Sequence, residues 1–298
     1  MGLVKMNSKI ILVVGPTATG KTKVSIELAH MYDAVIINAD STQVYKEPVI
    51  ATAKIKENEK EGVEHYLFDI VSLNDDYTLF DYQKDGRKIL DKFIKEKRNI
   101  VIVGGSGLYV KALLYNYNLE ETKTKRVDYS NYSNQELKSI ADKIDKNNNI
   151  HINNRQRLER YITYYNETGK TITKTNEINN RVYDFISIGL KANREELYDR
   201  INKRVDEMFA DGLLNEAKKL YKKKYKNFSN IIGYRELERY FKNEITLEES
   251  KELIKQNTRK YAKRQYTWFN NQMKDITWFD VDYNNFNNTL DEIKKFLE

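Results

Sequence analysis

Five short apolar runs punctuate the first two thirds of the chain, at residues 9–14 (KIILVV), 34–38 (AVIIN), 65–71 (HYLFDIV), 99–103 (NIVIV) and 182–190 (VYDFISIGL). Each is too continuously apolar to leave one face in water, so each reads as a strand covered on both sides, as in a parallel sheet. Helical periodicity occupies the intervals at residues 21–32 and 79–97, and this alternation of strand and helix predicts an α/β fold. Between residues 121 and 181 the sequence turns polar and rich in Asn and Tyr, with helical spacing near 135–146 and 154–167. That stretch interrupts the strand series and is expected to form a helical insertion domain, leaving 1–120 and 182–298 as the core. After residue 190 the pattern is helical almost to the end, at 194–210, 213–225, 234–241 and 247–271.

Composition narrows the function classes. The 298 residues are 40% hydrophobic, enough for one large core with a smaller lobe, and include no cysteine. A disulfide framework and a thiolate metal site are therefore excluded, and a reducing cytoplasm suits the chain. The first apolar run is too short for a secretory leader or a membrane span and leads into a glycine-bearing loop, so a soluble protein with no membrane partner is expected. The net charge of +7 is unevenly spread. Residues 253–274 hold Lys255, Arg259, Lys260, Lys263, Arg264 and Lys274 without one acid, and residues 217–235 hold six lysines and one arginine, again without an acid. Such stretches suit a polyanion such as nucleic acid; a solvated lysine-rich surface would give the same pattern.

Gly15-Pro16-Thr17-Ala18-Thr19-Gly20-Lys21-Thr22 satisfies G-x-x-x-x-G-K-[ST] between a strand and a helix. Its glycines let backbone amides converge on phosphate at a helix N-terminus, with Lys21 neutralising phosphate oxygens and the Thr22 hydroxyl helping to hold Mg²⁺. The core is thus expected to be a P-loop-type parallel sheet flanked by helices. Asp40 follows the second strand and Ser106 follows the fourth, in GGSG, both at carboxyl ends, where open α/β sheets place their sites. Asp40 reads as a Mg²⁺ partner, a general base or a turn residue. His30, His65 and His151 are too scattered for a metal site.

Taken in order, GPTATGKT (15–22), INADSTQVYK (37–46), TAK (52–54), GGSGLYVKAL (104–113), NNRQRLER (153–160), IIGYRE (231–236) and TRKYAKRQYTWF (258–269) resemble the tRNA dimethylallyltransferase family of bacterial type. The resemblance implies transfer of a dimethylallyl group from dimethylallyl diphosphate to N6 of the adenosine 3′ of the anticodon, with Mg²⁺ near Thr22. It implies that the phosphate loop, 15–22, grips the prenyl diphosphate, assisted by Arg204, that Asp40 is the general base, and that Ser106 stands where the family usually carries Thr. Residues 46–52 lack the family's usual glycines, and Asn154 replaces a commoner Asp. No zinc-finger extension follows the matched region, as expected of bacterial members.

The adenosine must be flipped out of its loop to reach such a site. Candidates for holding the tRNA anticodon stem-loop are Asp40, Ser41, Thr42, Gln43 and Ser106 beside the chemistry. In the insertion they are Arg126, Gln156, Arg157, Leu158, Glu159 and Arg160; toward the C-terminus they are Gly233, Tyr234 and Arg235, with Arg259 and Lys263 on a basic helix. Tyr261, Trp268 and Phe269 of that helix are expected to pack inward. A monomer in the cytoplasm is expected. A P-loop small-molecule kinase, or a basic RNA-binding NTPase, remains the competing reading.

Overall fold

A computed structural model describes residues 8–117, 119, 127–171 and 180–298. Six strands form one parallel sheet in the order β3-β2-β4-β1-β5-β6: β1 (Ile10–Val14), β2 (Ala34–Asn38), β3 (His65–Tyr66), β4 (Asn99–Gly104), β5 (Ile186–Lys191) and β6 (Thr277–Asp280). Alternate residues enter opposite cores, which explains the unbroken apolar runs. Ile10, Leu12 and Val14 face Leu90 and Phe93 of helix α2 (Leu79–Lys95) and Val110 and Leu113 of α3 (Gly107–Leu114). Ile11 and Val13 face Val24 and Leu28 of α1 (Lys21–Tyr32).

The expected third strand, 65–71, shortens to two residues. Leu67 and Asp69 take left-handed backbone angles, φ 64° and 54°, which an extended strand cannot contain. The Leu67 side chain is buried and its carbonyl accepts from Asn38 Nδ2 at 2.9 Å, so the apolar run signals burial inside a turn. The fifth strand begins at Ile186, four residues later than expected.

The C-terminal part adds α6 (Arg194–Ala210), α7 (Leu213–Lys222), α8 (Tyr234–Phe241) and the 26-residue α9 (Leu247–Gln272). The expected run of helix to the end is corrected by β6, which pairs with β5 and completes the sheet edge. Helix α10 (Phe286–Leu297) follows, and Leu290, Ile293 and Leu297, spaced i, i+3, i+7, seal the core beneath α1.

Residues Asn116–Asn180 form a second compact unit. Its helices α4 (Asn134–Ile144) and α5 (Arg155–Thr168) pack Leu137 and Ala141 against Leu158, Tyr161 and Ile162. Arg155 braces the unit by donating to the carbonyls of Tyr129 (2.6 Å) and Tyr132 (2.8 Å).

At the carboxyl edge of the sheet, β4 and β2 approach so closely that a Cβ on Gly104 would lie 2.1 Å from the Ala39 carbonyl oxygen. Backbone on backbone cannot yield as a flexible side chain can. Gly104→Ala is expected to lower stability by about 2 kcal/mol or more, on the scale of overpacked cores. Urea denaturation checks this, and an unchanged midpoint would contradict it.

Candidate active site

Three loops meet at this edge: the phosphate loop after β1, Ala39–Gln43 after β2, and the Gly104–Ser106 turn after β4, in the strand order β2-β4-β1. Helix α1 starts without a side-chain cap: Gly20 is its N-cap at φ 85°, and no acid stands in the first turn. The amides there and the positive end of the helix are left for an anion. Thr19 is buried and donates its hydroxyl to the Pro16 carbonyl at 2.8 Å, fixing the loop from within. Lys21 Nζ turns back to the same carbonyl at 2.7 Å. Burial lowers the Lys21 ammonium to about 8, with the Asp40 carboxylate opposing that shift and the Arg204 guanidinium adding to it.

Arg204 projects from α6, where Ile201 and Leu197 pack against Ala262 of α9. Its Nη1 donates to Thr17 Oγ1 at 3.4 Å, and burial is the first cause holding the guanidinium below its ordinary range. The guanidinium is thus a cation aimed at the phosphate loop. Lys21, Arg204 and the open helix N-terminus form one cationic recess.

Asp40 faces that recess from the neighbouring loop. Its backbone N–H donates to Asn38 Oδ1 at 2.8 Å, and its Oδ1 accepts from Thr42 N–H at 2.9 Å and Thr42 Oγ1 at 2.7 Å. Among the described residues, nothing donates to Oδ2. The carboxylate is held by one oxygen and open at the other, which leaves a lone pair available to a donor on a ligand. Ser106 Oγ accepts from Ser41 N–H at 2.9 Å and donates to Ser41 Oγ at 3.1 Å, while Ser106 N–H donates to the Ala39 carbonyl at 3.1 Å. Ser106 therefore braces the loop that carries Asp40.

Gln43 Nε2 donates to the Thr52 carbonyl at 3.0 Å, joining the Asp40 loop to residues 46–52. That glycine-poor stretch is organised by Glu216 of α7, whose carboxylate accepts from the amides of Val49 (3.1 Å), Ile50 (2.9 Å) and Ala51 (3.2 Å). Lys54 is buried and spans the base of the loop, donating to the carbonyls of Tyr45 (2.7 Å) and Lys46 (3.1 Å) and pairing with Asp69.

Some expected RNA contacts require correction. Tyr234 is fully buried, its ring stacked on Phe228 and its hydroxyl donating to Glu216 at 2.6 Å, so it has no face for a base. Gly233 is buried and donates its amide to Glu236 Oε2 at 2.7 Å. Leu158 is a core residue of the second unit, where the periodicity that placed it on a helix also placed it inward. Glu159 is half-buried and pairs with Arg155 at 2.7 Å. Gln156, Arg157 and Arg160 are exposed, as is Arg235, whose guanidinium also bonds Glu236. The basic row on α9 is partly neutralised: Lys255 pairs with Asp206 and Glu252, each at 3.1 Å, and Arg259 donates to Asn202. Lys263 and Arg264 stay exposed. Arg126 lies outside the described residues.

One residue of the site escaped sequence reasoning. Gln265 of α9 is buried; its Oε1 accepts from Thr17 N–H at 2.9 Å and its Nε2 donates to the Gly105 carbonyl at 3.1 Å. Its signal was available: Ala262, Gln265 and Phe269 share the inward face at i, i+3, i+7, and a lone amide among apolar positions needs two hydrogen-bond partners.

For Mg²⁺, the donors are few. The Thr22 hydroxyl stands exposed in the first turn of α1, and among the described residues no three His, Cys, Asp or Glu side chains gather to hold a metal. That set suits Mg²⁺, which keeps most of its shell as water and substrate phosphate oxygens.

Residues 43–272 match the family model described as IPP transferase. A tRNA dimethylallyltransferase of Anoxybacillus flavithermus is 41% identical, with 98% of this chain and 97% of the relative covered. One from Fusobacterium nucleatum is 44% identical, with 92% of each covered. The crystal structure of a tRNA delta(2)-isopentenylpyrophosphate transferase from Staphylococcus epidermidis superposes with a TM-score of 0.73 at 36% identity, covering 97% of this chain and 98% of that one. A eukaryotic dimethylallyltransferase acting on tRNA gives a TM-score of 0.79 at 26% identity, covering 97% and 80%. These similarities favour prenyl transfer over the kinase reading. With a phosphate loop, a half-free carboxylate and a matching fold along nearly its full length, the chain belongs to the IPP transferase family of tRNA dimethylallyltransferases.

Proposed function

We propose that the chain transfers a dimethylallyl group from dimethylallyl diphosphate to the exocyclic N6 of the adenosine 3′ of the anticodon in tRNA, releasing pyrophosphate. The observation that carries this reading is Asp40: one oxygen fixed by Thr42, the other free, beside the buried cation of a phosphate loop. An adenine amine is a poor nucleophile, because its lone pair is delocalised into the ring. Asp40 Oδ2 accepts an N6 proton as the nitrogen attacks C1 of the allyl group; the C1–N bond forms while the C1–O bond breaks.

The electrons leave with pyrophosphate, and the cationic recess answers that charge. Lys21, Arg204 and the uncapped amides of α1 are aimed where negative charge grows, so they favour the transition state over the bound donor. Thr22 would hold Mg²⁺, which supplies further neutralisation of the departing pyrophosphate. Ser41, Ser106 and Gln43 position the loop that meets the flipped nucleotide. Gln156, Arg157 and Arg160 on one exposed face of α5, with Lys263 and Arg264 on α9, are the groups that we assign to the tRNA backbone; Arg235 and Arg259 contribute what their existing bonds leave. Donor loop, base and basic surfaces all come from one polypeptide, which supports a monomer as the working unit.

Purified chain with Mg²⁺, dimethylallyl diphosphate and hypomodified tRNA is expected to yield a lipophilic adenosine by mass spectrometry. No such product with competent tRNA, alongside ATP turnover on a small acceptor, would overturn the reading. Asp40→Asn should lower turnover about 10²-fold or more with tRNA binding nearly intact, as for a lost base. A variant of normal rate would remove Asp40 from the chemistry.

Lys21 has a signature independent of turnover. Its folded value, about 8, lies below the ordinary 10.5, so between those values the unfolded chain holds a proton that the folded chain lacks. Stability of the wild-type chain must therefore rise relative to Lys21→Met as pH goes from about 8 to 10.5, and the cost of the buried charge is fully present below that window. Parallel pH–stability curves for the two proteins would contradict the burial of this charge.

A further inference from the structure

Helix α9 contributes one side chain that touches two of the three site loops at once. Gln265 accepts from the Thr17 amide of the phosphate loop and donates to the Gly105 carbonyl in the turn that ends β4. A primary amide does this in one orientation, its oxygen accepting at one side and its NH₂ donating at the other. The turn is shaped for it: a Cβ on Gly105 would lie 2.0 Å from Gln265 Nε2. The next residue, Ser106, holds Ala39 and Ser41 on either side of Asp40. A chain of hydrogen bonds thus runs from the phosphate loop through Gln265 and Ser106 to the carboxylate loop. Tyr261, one turn earlier on α9, lies against Ser106 and Gln265 and closes the same cluster.

We propose that Gln265 is a positioning residue that couples the phosphate loop to the Asp40 loop, so that filling the diphosphate site tightens the adenosine site and the reverse. The proposal rests on the reading of these loops as donor and acceptor sites. Its physical basis is the shared constraint: Thr17 cannot shift to accommodate phosphate without moving the Gln265 amide, which in turn bears on the turn that seats Ser106. A single buried amide with both ends occupied transmits such a shift, because breaking either bond strands a buried polar group. Coupling of this kind is reciprocal and commonly amounts to about tenfold in affinity.

The test begins with the unaltered protein. Binding of magnesium pyrophosphate is measured by calorimetry with and without a saturating anticodon stem-loop RNA that carries the target adenosine, and about a tenfold tightening is expected. Equal affinities would overturn the proposal whatever any variant does. Gln265→Glu keeps the shape and the acceptor for Thr17 but sets an oxygen against the Gly105 carbonyl. It should abolish the coupling and lower kcat about tenfold or more, while each ligand bound alone changes its affinity less than threefold. Gln265→Met removes both bonds and should behave alike. Full coupling and normal kcat in either folded variant would overturn the proposal. The underlying functional reading fails separately, if the unaltered protein binds the RNA but makes no prenylated product.

Discussion

The site depends on backbone segments meeting where side chains would hold them apart. Parallel strands deliver their carboxyl ends to one edge, and there β4 lies so close to β2 that Gly104 presses on the Ala39 carbonyl. That contact puts Ser106 within reach of Ser41, which seats Asp40 beside the phosphate loop. The carboxylate, the buried lysine and the open helix N-terminus thereby share one recess although they come from different strands. Neither the sheet nor the glycine loop alone would bring them together.

The electrostatics follow from that geometry. The Lys21 ammonium is buried at a cost, offset only in part by Asp40, and Arg204 adds a second cation rather than a counter-ion. A recess strained in this direction is satisfied by an anion, and the chemistry of prenyl transfer creates one as pyrophosphate departs. The same loop that in other P-loop proteins serves a nucleotide can here serve a leaving group. The difference lies in what faces it: Asp40, held through one carboxylate oxygen by Thr42, with the other oxygen open to a ligand.

Much of this was legible in the sequence because it depended on local rules. The phosphate loop announced itself by spacing, α1 and α6 by periodicity and β2 by its unbroken apolar run, and all three helix and strand spans agree with the structure. What was not legible depended on partners distant in sequence. Tyr234 sits beside Arg235 and a glycine turn, a pattern that suits RNA, yet its ring is consumed by Phe228 and its hydroxyl by Glu216. In the 65–71 run Leu67 is buried at a left-handed turn, which apolar character alone cannot distinguish from a strand. Lys255 looked like part of a free basic row until α6 supplied Asp206. Strand β6 is four residues long, too short to stand out after a long helix.

The central claim is that the phosphate loop holds the diphosphate of a prenyl donor, with Lys21 and Arg204 as its cations. Calorimetric competition between the unreactive dimethylallyl S-thiolodiphosphate and ATPγS, in Mg²⁺ and saturating stem-loop RNA, tests it most directly. The account predicts that the prenyl analogue binds one per chain, is not displaced by equimolar ATPγS, and weakens about tenfold or more in Arg204→Ala, as for a lost charge-assisted contact. Displacement by ATPγS at lower concentration than the prenyl analogue, or unchanged affinity in Arg204→Ala, would contradict it.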